Sequence, residues 1–253
     1  MTRPAALFLC SVLAFAGEPV AYREGGTALS GYLALPKGGA KAPGVVVIPQ
    51  WMGPTAHEQD TADRLAGLGY AAFVADIYGA GVRPKDAKEA GALAGKFKGD
   101  RALFQARIRA ALEALKARGE VDAASLAVIG FCFGGTGALE AARGGMPVKG
   151  VVSFHGGLDS PADRPVQPIA ARVLVCHGAD DPWVPAKEVA AFQDEMRRAK
   201  ADYTFIAYAG AVHAFTQKGA GDDPSKGAAY QEAAARRSWG HLQQFLQELF
   251  GSR

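Results

Sequence analysis

Short runs of uninterrupted apolar residues, many of them β-branched, limit most strongly what this chain can fold into. Gly44-Val45-Val46-Val47-Ile48 is continuous, and Ala72-Phe73-Val74-Ala75, Ala127-Val128-Ile129, Val151-Val152-Ser153-Phe154, Val173-Leu174-Val175 and Tyr203-Thr204-Phe205-Ile206 resemble it. A strand with one wet face alternates apolar and polar residues; a continuous run is buried on both faces. Segments of helical period fill the gaps. Asp100 can cap a helix with apolar positions at Phe104, Ile108, Leu112 and Leu115 that Gly119 can end. Val189, Phe192, Met196 and Ala199 repeat the pattern after Pro185, and Tyr230, Ala234, Leu242, Phe245 and Leu249 predict a long closing helix. Strands alternating with helices predict an α/β fold with a mostly parallel central sheet and helices on both faces. Val20-Ala21-Tyr22 and Tyr32-Leu33-Ala34-Leu35 add a hairpin at the start. Neither a repeat nor a low-complexity linker divides the chain, so residues 17–253 read as one domain. In such a sheet the site lies beyond the carboxyl ends of the strands.

The first residues stand apart. MTRPAALFLCSVLAFA carries one positive charge at Arg3, then an apolar run, then Ala14-Phe15-Ala16. That is the layout of a secretory leader cleaved after residue 16. It predicts a periplasmic or secreted protein with no stable membrane anchor after cleavage; a buried first strand or helix, in a cytoplasmic protein, is the alternative. Cys10 leaves with the leader. Cys176 sits inside an apolar run and reads as a small buried hydrophobe rather than half of a disulfide with Cys132. No cysteine–histidine spacing for zinc is present, and no metal or organic cofactor is expected. The net charge is +3 with scattered basic residues, which gives nucleic-acid binding no support. The oligomeric state is not legible.

Against this background one thiol is conspicuous. Gly130-Phe131-Cys132-Phe133-Gly134-Gly135 directly follows an apolar run. A residue on a sharp strand-to-helix turn is held up with its side chain exposed, and bulk two positions to either side would collide as strand and helix close. Gly130 and Gly134 remove that bulk. This is the nucleophile elbow with cysteine in place of serine, with a helix expected from near Gly135. It also frees the Phe133 amide to meet an oxyanion.

The elbow needs an acid and a histidine later in the chain, and both follow. His177-Gly178-Ala179-Asp180-Asp181-Pro182-Trp183-Val184-Pro185 offers Asp181, with Asp180 as runner-up. His213 lies in a loop after the last strand, whereas His57, His155, His177 and His241 read as structural. The order nucleophile, acid, histidine predicts a triad of Cys132, Asp181 and His213. His213 would take the thiol proton, Asp181 would orient the imidazole, and Cys132 would carry the acyl group as a thioester.

At these residues the chain resembles the dienelactone hydrolase family of the α/β-hydrolase superfamily, from about Tyr32 to the closing helix. The resemblance rests on residues 44–53, Asp76-Ile77-Tyr78-Gly79, the elbow, Phe154-His155-Gly156, Gly178-Ala179-Asp180-Asp181 and Val212-His213-Ala214-Phe215. It implies an α/β-hydrolase fold, a carboxylic ester or lactone as small-molecule substrate, the same triad, and the Trp51 amide as second oxyanion donor. Gln50, Tyr78, Trp183 and Phe215 are the candidate pocket residues. The chain departs from the family where Gln50 replaces a common glutamate that helps move the thiol proton, so His213 is expected to deprotonate Cys132 directly. The arginine, serine and arginine that hold the dienelactone carboxylate fall at Ala80, Ala214 and Gln217, with Arg83 or Lys85 as nearby substitutes. Dienelactone is therefore expected to be a poor substrate and a neutral ester or lactone a better one. A thioesterase or acyltransferase on the same scaffold, or a non-catalytic binding protein, are the rival readings.

Overall fold

The computed structural model describes residues 17–251; the leader expected over residues 1–16 lies outside them. An opening hairpin pairs β1 (Glu18–Glu24) with β2 (Thr27–Ala34), bringing Val20 opposite Gly31 and Tyr22 opposite Leu29. The sheet continues through β3 (Ala42–Ile48), β4 (Ala71–Val74), β5 (Val121–Phe131), β6 (Gly150–Phe154), β7 (Arg172–Gly178) and β8 (Tyr203–Tyr208). Its spatial order is β1-β2-β4-β3-β5-β6-β7-β8. The hairpin and the β2–β4 pair are antiparallel, and every pairing from β4 to β8 is parallel.

The apolar runs are buried from both sides, as their continuity requires. Val46 and Ile48 of β3 with Val128 of β5 face one core. Val45 and Val47 with Ala127 and Ile129 face the other. The first core is closed by α2 (Ala87–Gly99), α3 (Arg101–Lys116), α4 (Phe133–Arg143) and α5 (Ala186–Arg198); the second by α1 (Ala56–Gly67) and α6 (Glu232–Phe250). Asp100 caps α3 by accepting from the Leu103 amide at 2.9 Å. Among the described residues, no helix is long and apolar enough to cross a membrane.

The helix after the elbow begins at Phe133 rather than near Gly135. The Cys132 carbonyl accepts from the amides of Gly135 and Thr136, at 2.9 and 3.2 Å, so the first turn closes at once. Phe133 itself stacks on Phe104 of α3, with ring centroids 4.5 Å apart and planes 6° apart. Phe104 is fully buried, so it anchors the first residue of α4 as well as the core. Phe104→Ala is expected to lower the unfolding free energy by about 3–5 kcal/mol, read from urea denaturation.

Candidate active site

Adjacent parallel strands end side by side, and the residues singled out in the sequence leave from those ends. Cys132 follows β5 with φ 55° and ψ −117°, a conformation costly for a non-glycine residue. A methyl group on Gly130 would run into the Gly134 carbonyl, and one on Gly134 into the carbonyls of Ile48 and Pro49. The elbow is thus wedged against the loop after β3, which carries Trp51.

That loop is held from several sides. The Tyr78 hydroxyl donates to the Trp51 carbonyl at 2.7 Å, and the Gly53 amide to the Gln50 carbonyl at 2.9 Å. Asp76 fixes the segment bearing Tyr78 by accepting from the amides of Tyr78, Gly79 and Ser30. Glu58, which the sequence reading passed over, is fully buried. Its carboxylate accepts from the Thr55 amide at 2.9 Å, the Thr55 hydroxyl at 2.6 Å and the Gln50 amide at 3.4 Å, completing a capping box on α1. Burial pushes its pKa up, and the hydrogen bonds from Thr55 and Gln50 oppose this without cancelling it. An isolated Thr-x-x-Glu is the signal that exposes such a box in sequence.

Asp181 follows β7 and His213 follows β8. The two loops are joined by hydrogen bonds from Ala179 to the Tyr208 carbonyl and from Asp180 to the Ala211 carbonyl, both 3.0 Å. His213 Nδ1 lies 2.8 Å from Asp181 Oδ2, while the other Asp181 oxygen accepts from the Trp183 amide at 2.9 Å. Asp180 is exposed and has no such contact. His213 is 7% exposed, and burial alone would lower its pKa. The hydrogen bond to Asp181, and then the nearby Cys132 sulfur, outweigh burial and raise the pKa to about 9.

A cavity of about 1090 Å³ opens over these groups, slightly above the usual range for small-molecule sites. Gln50, Trp51, Cys132, Phe133, Trp183 and His213 line it. Trp183 is 57% exposed, its ring 4.7 Å from that of His213. Tyr78 and Phe215 are not part of the wall. Tyr78 packs beneath it against Phe97 and Phe133, and Phe215 is fully buried against Tyr208 and His155. Both are aromatic residues next to motif residues, which is why sequence alone drew them into the pocket.

Of the histidines read as structural, His177 and His155 are buried, and His241 bonds the Tyr208 hydroxyl at 2.8 Å. His57 instead reaches the cavity wall. Arg83 is turned onto its own loop, donating to the Val82 carbonyl at 2.6 Å, and does not face the cavity. The cations that do line it are Arg64, Lys98 and Lys218, from positions the family pattern does not mark. Arg64 lies over the Trp239 ring at 3.6 Å, and Lys98 is 3.6 Å from Asp159. No cluster of three or more histidine, cysteine or acidic side chains is arranged for a metal among the described residues. Cys132 and Cys176 are free thiols, and Cys176 is fully buried.

With this geometry in place, comparison with known proteins is decisive. The family model for the dienelactone hydrolase family matches residues 29–250. The chain belongs to the dienelactone hydrolase family. As a member it is a hydrolase of carboxylic esters or lactones. Over 225 residues it is 31% identical to a Bradyrhizobium sp protein described as a "probable 2-oxo-3-(5-oxofuran-2-ylidene)propanoate lactonase", covering 85% of this chain and 87% of that one. The solved structure named m3DLH superposes with a TM-score of 0.89 at 42% identity, covering 94% of this chain and 99% of the other. A dienelactone hydrolase-like promiscuous phosphotriesterase from metagenomic libraries gives a TM-score of 0.88 at 41% identity, with 93% and 99% covered.

The raised pKa of His213 fixes a pH dependence of stability. A group whose folded pKa lies above its unfolded value stabilises the fold fully below the unfolded value and loses that contribution as pH rises through the folded one. For His213 the window runs from 6.5 to about 9. The stability gap between the wild type and Asp181→Asn is expected to be widest at about pH 6 and nearly closed at about pH 10, measured by urea denaturation.

Proposed function

We propose that this hydrolase cleaves its substrate by covalent catalysis through Cys132, with His213 as acid and base and Asp181 as the group that orients it. The supporting observation is the buried 2.8 Å contact between His213 Nδ1 and Asp181, with Cys132 near enough to raise the pKa of His213. Because Nδ1 faces Asp181, the other ring nitrogen is free to serve the thiol.

The steps follow from that arrangement. Gln50 having no ionisable group to assist, the proton of Cys132 passes to His213 alone, and the pKa of about 9 reflects how well Asp181 and the sulfur stabilise the imidazolium that results. The sulfur attacks the carbonyl carbon, and the oxygen gains charge near the start of α4, where the amides of Phe133 and Trp51 are the donors assigned to it. The carbon–oxygen bond to the alcohol breaks as His213 returns the proton to the departing alkoxide. Water, deprotonated by His213, then attacks the thioester, and the thiolate leaves and regains its proton. Cys132→Ala is expected to lower kcat by at least about a thousandfold. During turnover of a slow ester, intact mass spectrometry should find one acyl group on wild-type Cys132 and none on the variant. Undiminished turnover by the variant would remove Cys132 from the chemistry.

We infer further that the substrate is a neutral ester or lactone rather than dienelactone. Ala214 and Gln217 stand where carboxylate-holding side chains occur in enzymes of that specificity. Lys98 and Arg64 are already engaged with Asp159 and Trp239, and Lys218, the third cation on the wall, is exposed, so water screens its charge. A carboxylate buried without a partner is costly. A neutral lactone is expected to exceed its carboxylate-bearing counterpart in kcat/KM by about tenfold or more, and equal values would overturn this preference.

A further inference from the structure

His155, at the end of β6, has no exposed surface and a left-handed backbone with φ 40°. Its ring is wedged into the loop that carries His213. It lies 5.3 Å from the His213 ring and 5.1 Å from the Phe215 ring, and its Nε2 is 2.8 Å from the Thr216 hydroxyl oxygen. Its Nδ1 is buried and meets no partner beyond its own backbone, with which it makes no well-formed hydrogen bond. Burial, and then the nearby His213 and His57, hold this imidazole well below its ordinary pKa, so it is neutral and carries one N–H.

Which nitrogen holds that proton has a consequence. A buried N–H without an acceptor is rarer and costlier than a buried lone pair without a donor. The proton therefore belongs on Nε2, which donates to Thr216, and Nδ1 keeps the unmatched lone pair. The Thr216 oxygen then accepts, and its single proton is left to point elsewhere. Thr216 has no other hydrogen bond among the described residues, and it lines the cavity.

We propose that Thr216 donates a hydrogen bond to the alcohol part of the substrate, that His155 fixes the direction of that bond, and that the enzyme favours esters whose alcohol carries a second oxygen. The proposal rests on the thioester reading of the same cavity. In that reading the departing alkoxide sits beside His213, and Thr216 packs against the same His155 ring as His213 does. Gln217 and Lys218 continue the wall, so the alcohol side is polar. An alkyl chain there leaves the hydroxyl proton unmatched, whereas an ether or hydroxyl oxygen takes it.

Butyl acetate and 2-methoxyethyl acetate test this, because they differ by one methylene replaced with oxygen. Acetate release gives kcat/KM for each with the wild type, Thr216→Val and Thr216→Ser. Methoxyethoxide is the better leaving group, so the change in the ratio decides, not the ratio itself. Thr216→Val is expected to lower kcat/KM for 2-methoxyethyl acetate roughly threefold to tenfold more than for butyl acetate, the span of one neutral hydrogen bond, any loss common to both esters coming from the His155 N–H left without its acceptor. Thr216→Ser should restore the wild-type ratio. An unchanged ratio in Thr216→Val, or an equal loss on both esters, overturns the proposal while leaving the hydrolase reading intact. Wild-type enzyme that releases acetate from neither ester, with Cys132 never acylated, defeats both.

Discussion

Strand β5 and helix α4 close on each other so tightly at Cys132 that φ there is positive and the positions two residues to either side, Gly130 and Gly134, have no room for a side chain. The chemistry and the packing both depend on that closure. It lifts the sulfur out of the sheet, starts a helix at the next residue, and seats Gly134 against the carbonyls of Ile48 and Pro49. The loop that follows those carbonyls carries Trp51. The thiol and the Trp51 loop are thereby positioned by one contact between backbones, which has no rotamers to lose.

Around that contact the protein places buried acids as braces rather than as reagents. Asp76 ties the Tyr78 segment to the hairpin strand β2, and Glu58 ties the Trp51 loop to the start of α1. Glu140, fully buried on α4, accepts two hydrogen bonds of 2.8 Å from Arg164 and one of 2.9 Å from Gln105. Burial would push its pKa up, but Arg164, Arg143 and Gln105 outweigh that and hold it below the usual value. Arg143 in turn donates to the carbonyls of Leu158 and Asp159, pinning the segment that borders the cavity at Gly157. Removing one partner from such a group strands a charge in the interior, which is why these networks resist piecemeal change.

Much of this was legible in the chain, and what was not has physical causes. The parallel strands were readable because burial on both faces forbids polar residues. That Cys132, Asp181 and His213 would lie near one another was readable because parallel strands of one sheet project their carboxyl-end loops to one side. Helices α1 and α2 escaped notice: α1 buries Glu58 and Thr61 beside small alanines, and α2 is interrupted by Gly91 and Gly95, so neither shows a strong apolar stripe. The pocket wall was read only in part. Whether an aromatic side chain turns up toward the cavity, as Trp183 does, or down into the core, as Phe215 does, is decided by loop geometry that spacing does not encode. The cations at Arg64, Lys98 and Lys218 come from three separate segments, and only the folded chain brings them to one wall.

The two described cysteines are chemically unlike for reasons visible in their surroundings. Cys176 lies wholly within the second core, where burial drives its thiol up to about 12, with only the Tyr208 hydroxyl at 3.4 Å to oppose the shift. Cys132 stands partly open at the first turn of α4, facing an imidazole. A soft electrophile offered to the folded chain thus finds one sulfur within reach and the other sealed. Its uptake at Cys132 becomes a ruler for the fraction of any preparation whose elbow is correctly formed.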